Sequence, residues 1–182
     1  YCWGSSSDSC FDCTKIGILA LMSSLQKAQN EAKKLALLLK KKHLKIVFAE
    51  SCTGGMVSAL LSQIPGISEH FCGSAVVYRN STKHKWLEIP QKTLKTPGAV
   101  SAEVAIQMAV RILDKTPEAD ICASVTGHLG PNAPRNQDGL IYMAMASRAK
   151  KDSWLLLFPS FRWYGLFWHK DCQSLLLTEG EK

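Results

Sequence analysis

The chain has 182 residues, of which 46% are hydrophobic and 20% are charged, and its formal net charge is +7. The length is that of one globular domain with its own core, and the composition excludes a disordered chain, a collagen-like chain and an integral membrane protein. The longest apolar runs, residues 16–22 and 154–158, are far shorter than the ~20 residues needed to span a bilayer. We therefore expect a soluble protein with no membrane partner.

The positive charge is concentrated near the N-terminus, where residues 1–44 hold seven Lys and three acidic residues. Lys33, Lys34 and residues 40–42 lie in a segment whose apolar residues repeat every three or four positions, as in an amphipathic helix. We interpret these lysines as its solvated face, and the alternative is contact with a phosphate backbone. Because no aromatic residue lies among them to stack on bases, we do not expect a nucleic-acid partner.

The N-terminal segment is Ser-rich and lacks periodicity, so we predict a poorly ordered leader over residues 1–22 and a single domain over residues 23–182. It contains no Lys or Arg in its first 13 residues, which argues against a secretory signal. The odd number of cysteines, seven in total, favours free thiols in a reducing cytoplasm. Cys10 and Cys13 form a C-x-x-C pair without a second pair or paired His residues, so we predict no metal site.

The elements predicted along the chain alternate between helices and strands. Helical periodicity or helix caps mark residues 23–43, 56–63, 80–87 and the segment that begins at Ser101. Short apolar runs predict strands at residues 45–49, 72–78, 121–126, 140–146 and 154–158. Alternation followed by two consecutive strands predicts an α/β fold, a three-layer α/β/α sandwich with a mixed, mostly parallel sheet.

Polar loops follow the first three predicted strands, at residues 50–55 (ESCTGG), 78–83 (YRNSTK) and 126–131 (TGHLGP). Ligands of open α/β sheets bind beyond the carboxyl ends of the strands, so these loops form the candidate site. Ser51 would expose its hydroxyl at a strand-to-helix turn, with free backbone N–H groups nearby to bind an anion. The alternative is an ordinary turn in which a Ser or Thr caps the helix.

A serine nucleophile needs a base, and the neighbouring loop offers Lys83 and His84. A lysine in a partly dry cleft has a lowered pKa and accepts a serine proton as a neutral amine, although a solvated lysine is the alternative. His84 points roughly 100° away from Lys83 around a helix, so we interpret it as a surface residue. His128, flanked by Gly127 and Gly130, is a third candidate.

Four runs carry a resemblance to a known family: residues 49–55 (AESCTGG), 78–83 (YRNSTK), 98–104 (GAVSAEV) and 125–131 (VTGHLGP). In this order and spacing they resemble the CinA C-terminal domain family, which comprises the nicotinamide-nucleotide amidases. The resemblance covers about residues 28–147. Some family members carry a larger domain ahead of this one, whereas only 27 residues precede the matched region here, so we expect a stand-alone form.

The resemblance implies a metal-independent and cofactor-free deamidation of nicotinamide mononucleotide to nicotinate mononucleotide and ammonia. It implies that Ser51 is the nucleophile, that Lys83 is the base and that Tyr78 orients or relays. Further residues would bind the substrate or its oxyanion through backbone N–H groups and pocket walls: Cys52, Thr53, Gly54, Gly55, Thr126, Gly127 and Gly130. The terminus of the following helix would suit the substrate's phosphate.

The C-terminal segment departs from the family pattern. Arg162 matches a substrate-binding arginine only loosely, and a second arginine of the family is missing, which leaves a catalytically weak or inactive nucleotide-binding protein as the alternative. Residues 158–168 hold two Trp, three Phe and one Tyr. An aromatic run with one arginine is typical of interface cores, so we expect a homo-oligomer, with a last core element as the alternative.

Overall fold

The computed structural model describes residues 10–129, 133–134, 137–149 and 153–158. The chain divides into two compact units, one of residues 32–163 and the other of residues 1–31 with 164–182. The helices are α1 (Cys10–Lys42), α2 (Met56–Ser62), α3 (Asn80–Leu87), α4 (Gln91–Thr93) and α5 (Ala102–Lys115). One turn of 3-10 helix spans Ile67–Glu69, and an irregular turn with Thr96 in an extended conformation spans Leu94–Gly98.

A five-stranded sheet with the order β2-β1-β3-β4-β5 lies in the unit of residues 32–163. Its strands are β1 (Ile46–Glu50), β2 (Phe71–Val76), β3 (Ile121–Gly127), β4 (Ile141–Ser147) and β5 (Ser153–Phe158). β1 pairs in parallel with β2 and β3, whereas β4 is antiparallel to both β3 and β5. Four of the five strands thus run in one direction, which confirms the predicted α/β sandwich with a mixed, mostly parallel sheet.

Helices cover both faces of this sheet, as a sheet with parallel strands requires. All five residues of β1 are buried. On one face Val47 and Ala49 join a hydrophobic cluster with Met108 and other residues of α5. Because side chains alternate along a strand, Glu50 lies on the opposite face, where its carboxylate contacts Ser58 of α2.

The predicted element boundaries hold closely inside the sheet. Each strand begins and ends within two residues of its predicted bounds, and α3 has the predicted bounds. The predicted helix cap is also confirmed, because the Ser101 hydroxyl accepts a hydrogen bond of 3.3 Å from the N–H of Val104. Strong β-branched and apolar runs between turn residues account for this agreement.

The start of the first helix is a correction. We predicted it near residue 23 after an unstructured leader, but α1 already begins at Cys10. Residues 10–22 contain no proline, and Gly17 is the one strongly unfavourable helix residue among them, at a cost of about 1 kcal/mol. Extension of an existing helix adds one hydrogen bond per residue at little entropic cost, so helix propagates through a segment that lacks its own amphipathic signal.

The described part of the chain has neither a membrane-spanning helix nor a metal-binding cluster. None of its helices combines the length and the apolar character needed to cross a membrane. No group of three or more His, Cys, Asp or Glu side chains lies close enough to hold a metal ion among those residues. The thiols of Cys52, Cys72 and Cys122 are free.

The loop before α5 is tied to the end of β3. The Ser101 hydroxyl donates to the carbonyl of Gly98 at 2.9 Å, and the hydroxyl of Thr126 donates to the carbonyl of Ala99 at 2.9 Å. These two bonds hold residues 98–101 beside the carboxyl ends of the parallel strands.

Candidate active site

The carboxyl ends of β1, β2 and β3 meet at one edge of the sheet, and their backbone hydrogen bonds continue past the strand ends. The N–H of Ser51 donates to the carbonyl of Val125 at 3.0 Å, and the N–H of Val77 donates to the carbonyl of Glu50 at 2.8 Å. Ser51 is therefore fixed between the two neighbouring strands. It is buried, with 6% of its surface exposed.

Lys83 and Ser51 are in direct contact. Lys83 lies in the first turn of α3, and its side chain returns to the end of β2. Its Nζ donates to Ser51 Oγ at 2.8 Å, to the carbonyl of Val77 at 2.9 Å and to the carbonyl of Tyr78 at 3.3 Å. The two candidate residues, 32 positions apart in the chain, thus form one hydrogen-bonded pair.

The Lys83 side chain is almost completely buried, with 1% of its surface exposed. Burial disfavours the charged ammonium and lowers the pKa of Lys83 to about 8, while the neighbouring thiol of Cys52 acts in the opposite direction. With a pKa near this value, about a tenth of the Lys83 side chains are neutral amines at pH 7. The predicted lowering of the lysine pKa is confirmed in direction and cause.

The three oxygen atoms around Lys83 Nζ suit both protonation states. The ammonium form has three protons and can donate to all three oxygens. The neutral amine has two protons, which can remain on the carbonyls of Val77 and Tyr78, the two groups that can only accept. Its lone pair then faces the hydroxyl of Ser51, which can donate its own proton to it.

Cys52 is the neighbour of Ser51 in the chain, and its pKa is shifted in the opposite direction to that of Lys83. Burial raises the pKa of the Cys52 thiol to about 11, and the backbone N–H groups of Cys52 and Thr53 oppose this shift because they approach its sulfur. The thiol is therefore protonated at neutral pH and is a poor nucleophile. Ser51, in contact with the lysine, is the better placed of the two groups.

The carboxylate of Glu50 holds the turn that follows Ser51. It is buried, with 1% of its surface exposed. Its Oε2 accepts from the Thr53 hydroxyl at 2.7 Å and from the N–H groups of Gly55 and Val57 at 3.0 and 3.1 Å. Its Oε1 accepts from the N–H of Ser58 at 2.9 Å and from its hydroxyl at 2.5 Å. The first N–H groups of α2 are thereby satisfied from inside the protein.

A cavity of about 340 Å³ opens above Ser51 and Lys83. Its walls come from four chain segments, and they are formed by Ser51, Cys52, Tyr78, Asn80, Lys83, Ala99, Val100, Thr126, Gly127 and Leu129. The volume falls in the range typical of small-molecule sites. The wall combines apolar side chains with the polar pair, so the cavity suits a small ligand that carries one reactive polar group.

Comparison with known proteins identifies the family. The family model of the CinA C-terminal domain matches residues 28–163, which is most of the chain. The chain belongs to the CinA C-terminal domain family. The resemblance inferred from the four sequence runs is confirmed.

Relatives of this CinA domain are named in similar terms. A CinA-like protein of Pseudothermotoga lettingae is 38% identical over 150 residues, which are 77% of this chain and 37% of that protein. A CinA-like protein of Dictyoglomus thermophilum is 42% identical over 115 residues, which are 62% of this chain and 28% of that protein. The chain therefore spans well under half the length of these curated relatives.

Solved structures share the fold of this CinA domain. The competence/damage inducible protein CihA of Agrobacterium tumefaciens aligns with a TM-score of 0.69 at 27% identity, over 83% of this chain and 87% of that one. A competence or damage-inducible protein of Enterobacter asburiae aligns with a TM-score of 0.64 at 28% identity, over 83% and 89% of the two chains.

Three residues expected to bind the substrate do not line the cavity of this CinA domain: Thr53, Gly54 and Gly55. The N–H of Gly54 donates to the carbonyl of Ser51, and the N–H of Gly55 donates to Glu50. This corrects the expectation that all N–H groups over residues 52–55 face an oxyanion and that the helix terminus takes a phosphate. The carboxylate of Glu50 occupies that terminus already.

The structure places the remaining predicted residues as follows. Cys52, Thr126 and Gly127 line the cavity as predicted. Gly130 and Arg162 lie outside the described residues. Tyr78 also lines the cavity, and its contact with Lys83 is made by its backbone carbonyl, while 70% of its surface is exposed. The role of Tyr78 in orienting or relaying stays a prediction, and the structure shows only that its carbonyl accepts a hydrogen bond from Lys83.

The two histidines considered as bases lie away from Ser51. His84 Nδ1 is 2.9 Å from the carbonyl of Ile89, and His84 is absent from the cavity wall, as is His128. The backbone of His128 pairs with Leu140 and Gly139 of the loop that precedes β4. Of the three candidate bases, Lys83 is the one that contacts the candidate nucleophile.

Four residues of the cavity wall were missed as site residues: Asn80, Ala99, Val100 and Leu129. Each lies inside one of the sequence runs that carry the family resemblance. Their position inside these runs, close to predicted site residues, was the available sign that they line the site. Apolar residues such as Ala99 and Val100 carry no reactive group, so their residue type does not separate them from core residues.

Proposed function

We propose that this domain is a metal-independent amidohydrolase that converts nicotinamide mononucleotide to nicotinate mononucleotide and ammonia. The observation that carries the proposal is the 2.8 Å contact between Lys83 Nζ and Ser51 Oγ in a site where burial lowers the pKa of Lys83 to about 8. A neutral amine in contact with a serine hydroxyl is a nucleophile paired with its general base.

Acylation uses this pair directly. As Ser51 Oγ bonds to the carboxamide carbon, its proton passes to the neutral amine of Lys83, and the carbonyl electron pair moves onto the carboxamide oxygen. When the C=O bond re-forms, the C–N bond breaks and the nitrogen takes the proton from the Lys83 ammonium. Ammonia leaves, and an ester remains on Ser51.

Deacylation repeats the same transfers with water. A water molecule gives a proton to Lys83 as its oxygen bonds to the ester carbon. Collapse of this intermediate breaks the C–O bond to Ser51, and Oγ regains its proton from Lys83. One water is consumed, and one carboxylic acid and one ammonia are formed.

The backbone supplies candidates for the developing oxyanion. Among the described residues, the N–H groups of Cys52 and Thr53 donate to no oxygen, and they approach the sulfur of Cys52, which is a weak acceptor. An oxyanion formed next to Ser51 would give these two N–H groups an oxygen acceptor. One such donor contributes about 100- to 1000-fold to the rate in other hydrolases.

The nature of the cavity supports an aromatic amide as substrate. Ala99, Val100 and Leu129 form an apolar part of the wall, and the exposed side chain of Tyr78 stands at the same cavity. An aromatic ring attracts a cationic pyridinium. The mononucleotide itself is taken from the family resemblance, and Gly130 and Arg162 keep in this proposal their implied roles toward it.

The test measures ammonia released from nicotinamide mononucleotide by protein treated with a chelator. We expect release by the wild type and none by Ser51→Ala. As a matched control, Ser62→Ala removes an exposed serine of α2 and should leave the rate unchanged. Calorimetric titration is run in parallel. Binding without ammonia release would contradict the amidase and favour a nucleotide-binding protein, and the absence of both would contradict the substrate.

A further inference from the structure

The buried carboxylate of Glu50 divides its partners into two groups. Oε2 binds the turn after Ser51 through the Thr53 hydroxyl and the N–H of Gly55, and it also accepts from the N–H of Val57 in the first turn of α2. Oε1 binds Ser58 of α2, and the Ser74 hydroxyl of β2 donates to it at 3.3 Å. One side chain therefore links the turn, the helix and the neighbouring strand.

The turn has few other ways to keep its shape. Gly55 adopts φ +97°, a conformation that glycine reaches at no steric cost. The N–H of Gly54 donates to Ser51 at 3.1 Å and the N–H of Met56 donates to Thr53 at 3.1 Å. Neither of these local bonds anchors the turn to the sheet. The contacts of the Thr53 hydroxyl and the Gly55 N–H with Glu50, at the end of β1, do so, and the Thr53 contact is the one made by a side chain of the turn.

Anchoring this turn has a consequence for Ser51 and for the adjacent peptide groups. Glu50 precedes Ser51 in the chain, and Thr53 follows Ser51 by two residues. The 2.7 Å hydrogen bond between the Glu50 and Thr53 side chains therefore closes a ring of atoms that includes the main chain of Ser51. The N–H groups of Cys52 and Thr53 lie within that ring. Their direction therefore depends on the position of the Thr53 side chain.

We propose that Glu50 is a positioning residue for the Ser51 reaction, which holds the peptide groups of Cys52 and Thr53 in place through its hydrogen bond with the Thr53 hydroxyl. This inference rests on the proposed serine amidohydrolase function. Glu50 itself does not line the cavity, and the partners of Lys83 Nζ do not include its carboxylate. It acts through the turn.

Matched hydroxyl deletions on the two carboxylate oxygens test this role. Thr53→Val removes the donor on the turn side with nearly the same side-chain shape, and Ser74→Ala removes the donor on the strand side. We expect Thr53→Val to lower kcat for nicotinamide mononucleotide about tenfold with KM within about threefold, because misplaced donors weaken transition-state binding alone. Ser74→Ala should stay within about twofold of the wild type, and Thr53→Ser should restore most of the rate.

Glu50 is tested directly by a double-mutant cycle. Glu50→Gln weakens the bond to Thr53 by removing the charge, so we expect a several-fold loss in kcat. Thr53→Val added to Glu50→Gln should cost clearly less than it costs in the wild type, because both changes break one link. Additive losses, or a Thr53→Val protein as active as Ser74→Ala, would overturn the proposal. If Glu50→Gln does not fold, as judged by thermal melting, the rates of Thr53→Val, Ser74→Ala and Thr53→Ser decide whether the proposal holds.

A second measurement separates this proposal from the proposed substrate. Diisopropyl fluorophosphate reacts with activated serines as the serine oxygen bonds to phosphorus and fluoride leaves, and mass spectrometry measures the labelling rate at Ser51. Labelling that is slowed by Thr53→Val and unaffected by Ser74→Ala supports the positioning role even when nicotinamide mononucleotide is not hydrolysed. A wild type that neither labels at Ser51 nor releases ammonia overturns both proposals.

Discussion

Lys83 Nζ lies 2.8 Å from Ser51 Oγ, although one residue belongs to the first turn of a helix and the other follows a central strand. The two side chains meet because the parallel pairing of β1 with β2 brings the ends of both strands to one edge. In this position the Lys83 side chain is almost completely removed from water, and this desolvation lowers its pKa.

Lys83→Arg should be nearly inactive. The substitution retains a positive charge, but guanidinium does not give up its proton near neutral pH, so it cannot accept one from Ser51. We expect kcat/KM for ammonia release to fall by a factor of about 100 to 10,000, the usual contribution of a general base. Lys85→Arg on the exposed side of the same helix is the control and should be unchanged. A near-normal rate for Lys83→Arg would show that the lysine serves only to attract the substrate.

The rate should depend on pH with the titration of Lys83. Because the neutral amine is the reactive form, kcat/KM should rise with pH and level off above an apparent pKa of about 8. The Cys52 thiol has its pKa raised to about 11, so Cys52→Ala should keep this profile nearly unchanged. A flat profile between pH 6 and pH 9 would contradict the assignment of the base.

Stability should report the same pKa independently of catalysis. The folded pKa of Lys83, about 8, lies below its unfolded value of 10.5, so between these values the unfolded chain binds more protons and the free energy of unfolding gains with rising pH. The pH-dependent free-energy cost of burying the lysine is complete below pH 8 and absent above pH 10.5. Relative to Lys83→Met, the free energy of unfolding of the wild type should therefore rise by up to about 3 kcal/mol from pH 7 to pH 10.5.

Urea denaturation of both proteins at pH 7 and pH 10 measures this difference, and the other titrating groups cancel in the comparison. Lys85→Met, on the exposed side of α3, is the control and should show no such gain. A wild type whose stability relative to Lys83→Met falls as the pH rises would contradict the lowered pKa.

Gly127→Ala should destabilise the domain at the edge of the site. An added Cβ would lie 2.8 Å from the carbonyl oxygen of Leu140 and 3.2 Å from the sulfur of Cys52, so backbone has to shift. We expect a loss of about 1–3 kcal/mol, as for other overpacked positions, seen as a lower Tm. Gly54 has φ +61° but open space around it, so Gly54→Ala measures backbone strain alone, about 1–2 kcal/mol. The stability losses expected for the two variants overlap, so mononucleotide binding is the measurement that separates them. Gly127 lines the cavity, and Gly127→Ala should therefore also weaken binding. Unchanged binding would show that the site accommodates the methyl group.

The aromatic C-terminal segment should form an interface between copies. Residues 158–168 carry six aromatic residues and one arginine, a composition typical of interface cores. Light scattering at tens of micromolar should give a mass above that of one 20.1 kDa chain. A strict monomer would contradict the interface, and loss of cooperative unfolding on deletion of residues 161–182 would identify the segment as core.

The strands and their bounds could be predicted because the signal for them is local. Each of the five is a short apolar run bounded by turn residues, and the polar run after each of the first three marks where a ligand site begins. The first helix shows the limit of this reasoning. Its start depends on helix propagation through residues 10–22, and periodicity alone does not report that.

The sequence alone determined the α/β fold and a short set of candidates, with Ser51 as nucleophile and Lys83, His84 or His128 as base, because periodicity and side-chain chemistry are local properties. The family resemblance then favoured Lys83 among the three. The tertiary structure decided which groups act on each other. It placed Lys83 on Ser51, gave the contact with Tyr78 to a backbone carbonyl, and filled the end of α2 with the carboxylate of Glu50. Hydrogen bonds between distant segments depend on distances of a few tenths of an ångström, and only the packed sheet fixes those distances.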